Sequence, residues 1–440
     1  CVPKMLILGL QHMFAMFGAT VLVPILVQSY GLPLNTQTTL FFAGFGTLFF
    51  HFCTKLQIPA FLGSSFAYLG GFSAMASMDS GMYAAMAPSE KLQYACGGIV
   101  VAGLLYVILA IIVKTVGVQR VMYFLPPVVT GPIIVLIGLN LAPSAVSNAS
   151  SCWWLALVSM GIIVVANIWG KGMVKILPIL LGVAGGYVVA LVTGQVDFSG
   201  LAGTTLLGGD HPVLGLQPFL ADPGSSLAKF DLSAILVMAP IAVASMMEHI
   251  GDISAISATV GENFIERPGL HRTLVGDGVA TALAGLFGGP ANTTYGENTG
   301  VLALSRVHDP RVVRLAAIYA IILSFSPAFA HLVNTIPAAI IGGVSFILYG
   351  MISAIGLRNI VENHVDFTNS RNLIIAAVVL VCGLGFTEGL TFHLGSVTIT
   401  LTSLAVAALA GILLNAILPG NDFQVGRSGS GDDSATLGRY

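Results

Sequence analysis

The chain has 440 residues, 56% of them hydrophobic and only 8% charged, with a formal net charge of −2. A soluble domain carries roughly 25% charged residues, so most of this surface cannot face water and lipid must be its main solvent. The near-zero charge balance gives no footing for nucleic acid or for an acidic partner.

A membrane-spanning helix needs about 20 mostly apolar residues. That window predicts fourteen segments, with cores at 6–28, 38–54, 59–77, 93–113, 121–142, 153–169, 176–193, 232–258, 273–288, 291–305, 312–333, 337–356, 372–389 and 395–418. The polar insertion over 194–228 divides them into seven and seven. Cations punctuate the series. Fifteen of the seventeen Lys and Arg residues, among them Lys55, Lys114, Lys175, Arg306 and Arg358, fall in alternate gaps, and the intervening gaps hold only Lys91 and Lys229. By the positive-inside rule both termini are expected to be cytoplasmic. The small, polar tail over 421–440 is expected to be disordered.

Seven is odd, so the second half must enter the membrane from the opposite side, which makes an inverted repeat if the halves are related. The fifth segment of each half echoes the other, Pro126 to Gly131 against Pro337 to Gly342. The third segments form the more informative pair. One contains Gly63-Ser64-Ser65-Phe66-Ala67-Tyr68-Leu69-Gly70, the other Gly288-Gly289-Pro290-Ala291-Asn292-Thr293-Thr294-Tyr295-Gly296-Glu297-Asn298. Both are poor continuous helices. Backbone polar groups in lipid must be paired unless they line a cavity, and interrupted spans in corresponding places of two halves point to a transporter's binding site. An extended stretch followed by a half-helix is predicted in each, with the two N-termini presenting free N–H donors near midplane. The alternative is a glycine-rich face for helix packing.

Acidic residues inside apolar segments are costly and mark function by default. Glu248, inside the eighth segment, and Glu297, at the start of the tenth segment's half-helix, stand out. A carboxyl held away from water can exchange a proton near neutral pH and accepts hydrogen bonds from N–H groups. Both traits suit a proton-coupled carrier of an N–H-bearing solute. The alternatives are a structural pair for Glu248 and a helix cap for Glu297. His12 is a packing residue or a site-orienting one. His249 points about 100° away from Glu248 on a helix and reads as structural. Asp252 lies one turn beyond Glu248, either on the same face or closer to the helix end. Ser345 and Tyr349, four apart on the twelfth segment, either line the cavity from across or pack together. The five scattered cysteines have no metal-ligand spacing, and no metal cluster, nucleophile with a base or phosphate loop is present, so no enzyme is expected.

At these residues the chain resembles the nucleobase–ascorbate transporter family, and within it the bacterial uracil permeases. The most specific element is Glu297-Asn298-Thr299-Gly300 followed, after four residues, by Ser305-Arg306, where the family pattern has Thr in place of Ser305. The stretch from Gln11 to Thr20, Gly63-Ser64-Ser65-Phe66-Ala67, Glu248-His249 and Asn292-Thr293-Thr294-Tyr295-Gly296 match as well. The resemblance implies an all-α polytopic fold of fourteen segments in a seven-plus-seven inverted repeat. It implies a core domain over 1–115 and 232–334, a gate domain over 116–200 and 335–420, and an extracellular loop over 201–231. It implies proton-coupled uracil uptake by alternating access across the bacterial cytoplasmic membrane. Purine carriage on the same fold is the alternative, and an anion exchanger is disfavoured by the two carboxylates. Implied as substrate-binding are Glu248, Glu297, Phe66, Gly296, Tyr295, Ser345 and Tyr349. Implied as proton-coupling or supporting the site are His12, Ser65, Asn298 and Asp252 beside the two glutamates. No metal or bound cofactor is implied, only a proton gradient, and the partners implied are a nucleobase, the bilayer and a second copy through the gate domain. One departure stands out: Asp252 occupies a position where the uracil permeases it resembles carry His.

Overall fold

The computed structural model describes residues 2–79, 81–198, 204–205, 211–212, 227–387, 389–394 and 397–420. The 421–440 tail and most of the 201–231 loop lie outside the described residues, as does the side chain of Glu297.

The first half runs through α1 (Val2–Ser29), α2 (Thr36–Cys53), strand β1 (Leu62–Ser64), a short turn of helix at Phe66–Tyr68, and α3 (Leu69–Ser77). It continues with α4 (Pro88–Val116), α5 (Val118–Phe124), α6 (Pro127–Ser150), α7 (Trp153–Ile168), α8 (Met173–Ile176) and α9 (Pro178–Val192). The second half holds α10 (Leu232–Met238), α11 (Ile241–Val260), α12 (Leu270–Leu286), strand β2 (Asn292–Thr294), α13 (Gly296–Ser305), α14 (Pro310–Ser324) and α15 (Pro327–Asn334). Then come α16 (Ala338–Glu362), α17 (Ser370–Gly385), the hairpin β3 (Leu390–Leu394) and β4 (Val397–Leu401), and α18 (Ser403–Ile417).

Among the described residues, five helical stretches are long and apolar enough to cross a bilayer alone, and the bent pair α14–α15 makes a sixth. Helices α7, α9, α17 and α18 are apolar but shorter. Local chemistry sets their ends. Asn35 caps α2 by accepting from the Gln37 and Thr38 N–H groups, and Gly261, at φ 83°, closes α11 in the left-handed conformation that glycine adopts without penalty. The 88° bend after α14 falls where Pro327 cannot continue a helix and the Ser326 hydroxyl caps the Phe329 N–H instead.

The structure departs from the predicted segments at the end of the chain. Residues 397–401 are not the start of an apolar helix but a strand paired antiparallel with 390–394, Leu390 opposite Leu401 and Thr391 opposite Thr400. The alternation Val397-Thr398-Ile399-Thr400-Leu401 is β-branched and suits a strand better than a helix.

Packing divides the helices into two groups. Helices α6 and α16 lie against one another along most of their length, α7 packs on α9 and α16, and α17 on α18 and α6. In the other group α4 packs on α12, α2 on α12 and α14, and α1 on α14. Small residues allow the closest approaches. Gly138 and Gly356 let the α6 and α16 backbones meet, and Gly103 faces Gly278 between α4 and α12. The Ser353 hydroxyl donates to the Val135 carbonyl at 2.9 Å within that first contact.

Candidate functional site

The third and tenth predicted segments are broken, and they meet. Strands β1 and β2 pair antiparallel in the middle of the fold, Leu62 opposite Thr294, Gly63 opposite Thr293 and Ser64 opposite Asn292. The ladder extends one bond at each end, from Ser65 N–H to the Ala291 carbonyl and from Tyr295 N–H to the Phe61 carbonyl. Its outer edges are held by threonines. Thr47 of α2 accepts the Leu62 N–H at 2.9 Å and donates to the Leu62 carbonyl at 3.2 Å. Thr281 of α12 treats Asn292 the same way, at 3.1 Å in both directions. Every polar group so paired removes a cost of several kcal/mol that irregular backbone would otherwise carry in lipid. Because the strands are antiparallel, the helices that follow them, at Phe66 and at Gly296, begin beyond opposite ends of the three-residue ladder. Their first N–H groups have no intrahelical acceptor.

A narrow cavity opens between these helix starts and α11. Glu248 and Asp252, a turn apart on α11, line one wall, with Phe66, Thr294, Tyr295 and Gly296 beside them. The opposite wall is apolar: Ile134 from α6, and Ile352 and Ile355 from α16. The volume is about 20 Å³, room for one water-sized sphere.

Of the predicted site residues, then, five (Glu248, Asp252, Phe66, Tyr295 and Gly296) share this cavity. Asp252 is 4% exposed, and its Oδ2 accepts a hydrogen bond from the Thr294 hydroxyl at 3.0 Å. Tyr295 is tied down: its hydroxyl donates to the Ser64 carbonyl at 2.9 Å and accepts from Thr20 of α1 at 3.2 Å. Ser345 and Tyr349 do not line the cavity. Tyr349 reaches it indirectly, its ring meeting that of Phe66 edge-on at 5.9 Å between centroids. His12 also stands back. The Asn298 amide nitrogen lies 3.4 Å from the His12 carbonyl and 3.5 Å from its Nδ1, bracing α13 on α1. Ser65 is buried behind the turn that Phe66 opens. Glu297 occupies the second position of α13, next in the chain to Gly296, which lines the cavity.

His249 turns away from the cavity. Its Nδ1 lies 2.9 Å from Asp277 Oδ2 of α12, and neither side chain is exposed at all. Asp277 is a further acid inside a predicted apolar span (273–288), so the signal that marks Glu248 marks it too. Thr47 and Thr281 were not marked, since no residue-type signal exists for them. Beside this pair the Tyr106 hydroxyl of α4 donates to the Ser245 hydroxyl of α11 at 2.7 Å. Tyr106→Phe is expected to lower stability by about 1 kcal/mol. The check is a reduced melting temperature of the purified protein, with solute uptake retained.

Paired broken spans that start their helices at a shared, acid-bearing cavity, closed on its far side by a second helical group, define a multi-pass membrane transporter and not an enzyme. A family profile described as the Permease family, that of xanthine and uracil permeases, matches residues 3–392. The chain belongs to that family, the nucleobase–ascorbate transporters. It is 41% identical over 428 residues to the uracil permease of Bacillus caldolyticus, covering 95% of this chain and 93% of that one. The uracil permease of Bacillus subtilis is 38% identical over 424 residues, covering 93% and 92%. Among solved structures, the transmembrane domain of the cyanobacterial bicarbonate transporter BicA superimposes with a TM-score of 0.56 at 17% identity, covering 94% of this chain and 97% of that one. SLC26A9 superimposes with a TM-score of 0.65 at 10% identity, covering 94% and 64%. At such identities the likeness extends to the fold alone.

Proposed function

We propose that this transporter takes up uracil, driven by the proton gradient, across the bacterial cytoplasmic membrane. The observation that carries the reading is the position of Glu248, on a cavity wall between the N-termini of two broken spans. Uracil is a flat ring with two N–H donors and two C=O acceptors. Glu248 and Glu297 accept from the donors, and the Phe66 and Gly296 N–H groups donate to the acceptors. His12, Ser65 and Asn298 hold the half-helices in place, Asp252 borders Glu248, and Tyr349 and Ser345 belong to the helix that closes over the ring with Tyr295 beneath. A site built this way rejects wrong ligands strongly, since each would leave buried partners unpaired.

Alternating access follows from the two helical groups. A core of residues 1–115 and 232–334 carries the acids and half-helices, and a gate of 116–200 and 335–420 supplies the isoleucine wall. Supporting a fourteen-span, seven-plus-seven inverted repeat, contacts recur with the halves exchanged. Helix α2 packs on α14 as α12 packs on α4, and α7 on α9 as α17 on α18. The Thr47 and Thr281 clasps also correspond. In this reading both termini are cytoplasmic, no cofactor is bound, and two copies associate through the gate.

Labelled uracil uptake into vesicles tests it. Accumulation is expected to collapse with a proton uncoupler and to be competed by excess uracil but not by xanthine or guanine. Uptake indifferent to the uncoupler overturns the coupling; competition by xanthine in preference to uracil overturns the substrate.

A further inference from the structure

We propose that the pocket between the N-terminal ends of α1 and α14 binds an anionic phospholipid, its phosphate held by Arg311 and Arg314 and its acyl chains lying along the apolar seam beside them. The inference is independent of the transported solute, and none of the residues it uses lines the solute cavity.

The pocket holds about 340 Å³ and is lined by Met5 and Leu6 of α1 and by Arg311, Arg314, Leu315 and Ile318 of α14. That volume lies within the range of small-ligand sites, roughly 300–1,000 Å³. One turn beyond Met5 the two helices touch: a Cβ on Gly9 would overlap the Leu315 side chain, and the Tyr319 hydroxyl donates to the Leu6 carbonyl at 3.4 Å. That contact closes one end of the pocket. The lining is divided by chemistry. Among the described residues neither arginine has an acidic partner, and Arg314 Nη1 is buried with no hydrogen-bond acceptor. The nearest acid along the chain, Asp309, is turned onto the helix end, where its Oδ1 accepts the Arg311 N–H at 2.9 Å. A buried donor without an acceptor is costly, and like charges three apart on a helix repel. An anion between the two guanidinium groups relieves both. The remaining lining is apolar, and it continues outward: Leu6 and Leu10 of α1, with Ile318 and Ile322 of α14, are all exposed.

This division selects the occupant. A free phosphate would satisfy the arginines and leave four apolar side chains facing it. An acyl chain alone would cover the apolar half and leave the guanidinium groups unpaired. A phosphodiester carried on an acylated glycerol matches both halves, and the planar guanidinium fork suits its oxygens. A headgroup without choline or ethanolamine brings no cation to compete with the arginines, so the charge complement favours an anionic lipid. Basic pockets between spans on the cytoplasmic side are suited to such headgroups, and the cation pattern of the sequence assigns this end of α14 to that side.

The experiment titrates the full-length protein, purified in detergent micelles, with phosphatidylglycerol, phosphatidylcholine or inorganic phosphate, and follows its melting temperature. Native mass spectrometry counts the phosphatidylglycerol molecules retained. The proteins compared are the wild type, Arg311→Gln, the double variant Arg311→Gln with Arg314→Gln, and Arg120→Gln, which removes an exposed cation of α5 outside the pocket. Phosphatidylglycerol is expected to raise the wild-type melting temperature saturably, phosphatidylcholine to need a concentration at least about fivefold higher, and inorganic phosphate to have no effect. The concentration giving half the phosphatidylglycerol effect should rise about fivefold in Arg311→Gln and about 25-fold in the double variant. The double variant should also retain one phosphatidylglycerol fewer, whereas Arg120→Gln should behave as the wild type. Arg311 is exposed, so its single variant carries the test if the double variant does not fold. A half-effect concentration unchanged in Arg311→Gln and in any folded double variant overturns the proposal, as does equal stabilisation by phosphatidylcholine. Equal stabilisation by inorganic phosphate overturns the lipid and leaves a free-anion site.

Discussion

Replacing Glu248 by Gln is expected to reduce uracil uptake about a hundredfold while leaving the purified protein folded. Gln has nearly the same shape, so the cavity wall keeps its packing, and what is lost is an ionisable, acceptor-only group. A hydrogen bond to a charged partner contributes about 1.5–3 kcal/mol, which corresponds to roughly 10–150-fold in affinity. The substitution also sets an NH2 donor against a solute N–H, adding to the loss. Glu248 sits where this matters most, on the face of α11 shared with Asp252 and opposite the apolar wall from α6 and α16. Initial uptake rates in vesicles, normalised to the amount of protein, measure the effect. A melting temperature within a few degrees of the wild type separates it from misfolding. Uptake at the wild-type rate would remove Glu248 from the site.

The parts of this molecule that were legible from sequence are those where residue type conflicts with environment. Glycine, proline and small polar residues cannot sustain a helix through lipid, so the interruptions at 63–70 and 288–298 stood out, and the strands and half-helices lie there. Glu248 and Asp252 stood out for the same reason. What was not legible is where conflict is absent. Ile134, Ile352 and Ile355 form the far wall of the cavity, yet nothing distinguishes them from any lipid-facing isoleucine. Ser345 and Tyr349 drew attention as polar residues four apart, but the cavity is reached one turn further along α16, at Ile352 and Ile355. Which turn of a helix meets a cavity depends on how two helical groups cross, and that is fixed by close contacts such as Gly138 against α16, not by periodicity. The strand pair at 390–394 and 397–401 was hidden for another reason: a β-branched run is as apolar as a helix by any average.

Gly63→Ala is expected to be among the most damaging single-methyl changes in the chain. Strand β1 passes directly over the Tyr295 side chain, and a Cβ at Gly63 would overlap two of its ring carbons and its hydroxyl oxygen. Overpacking of this kind costs about 1–3 kcal/mol when the neighbour can move. Here it cannot move freely. The Tyr295 hydroxyl is held by the Ser64 carbonyl and by Thr20, and its N–H is bonded to the Phe61 carbonyl, so displacing the ring breaks the ladder that joins the two broken spans. The cost therefore lies at or above the upper end of that range, and it falls on the element that positions both helix N-termini. Gly70→Ala is the matching control: it lies in α3, seven residues on, with no atom within 4 Å of its would-be Cβ, and alanine favours a helix over glycine by about 1 kcal/mol. The two variants should move the melting temperature of the purified protein in opposite directions, with uptake lost in Gly63→Ala and kept in Gly70→Ala. If Gly63→Ala melts and transports like the wild type, the strand crossing is not held as tightly against Tyr295 as its hydrogen bonds require.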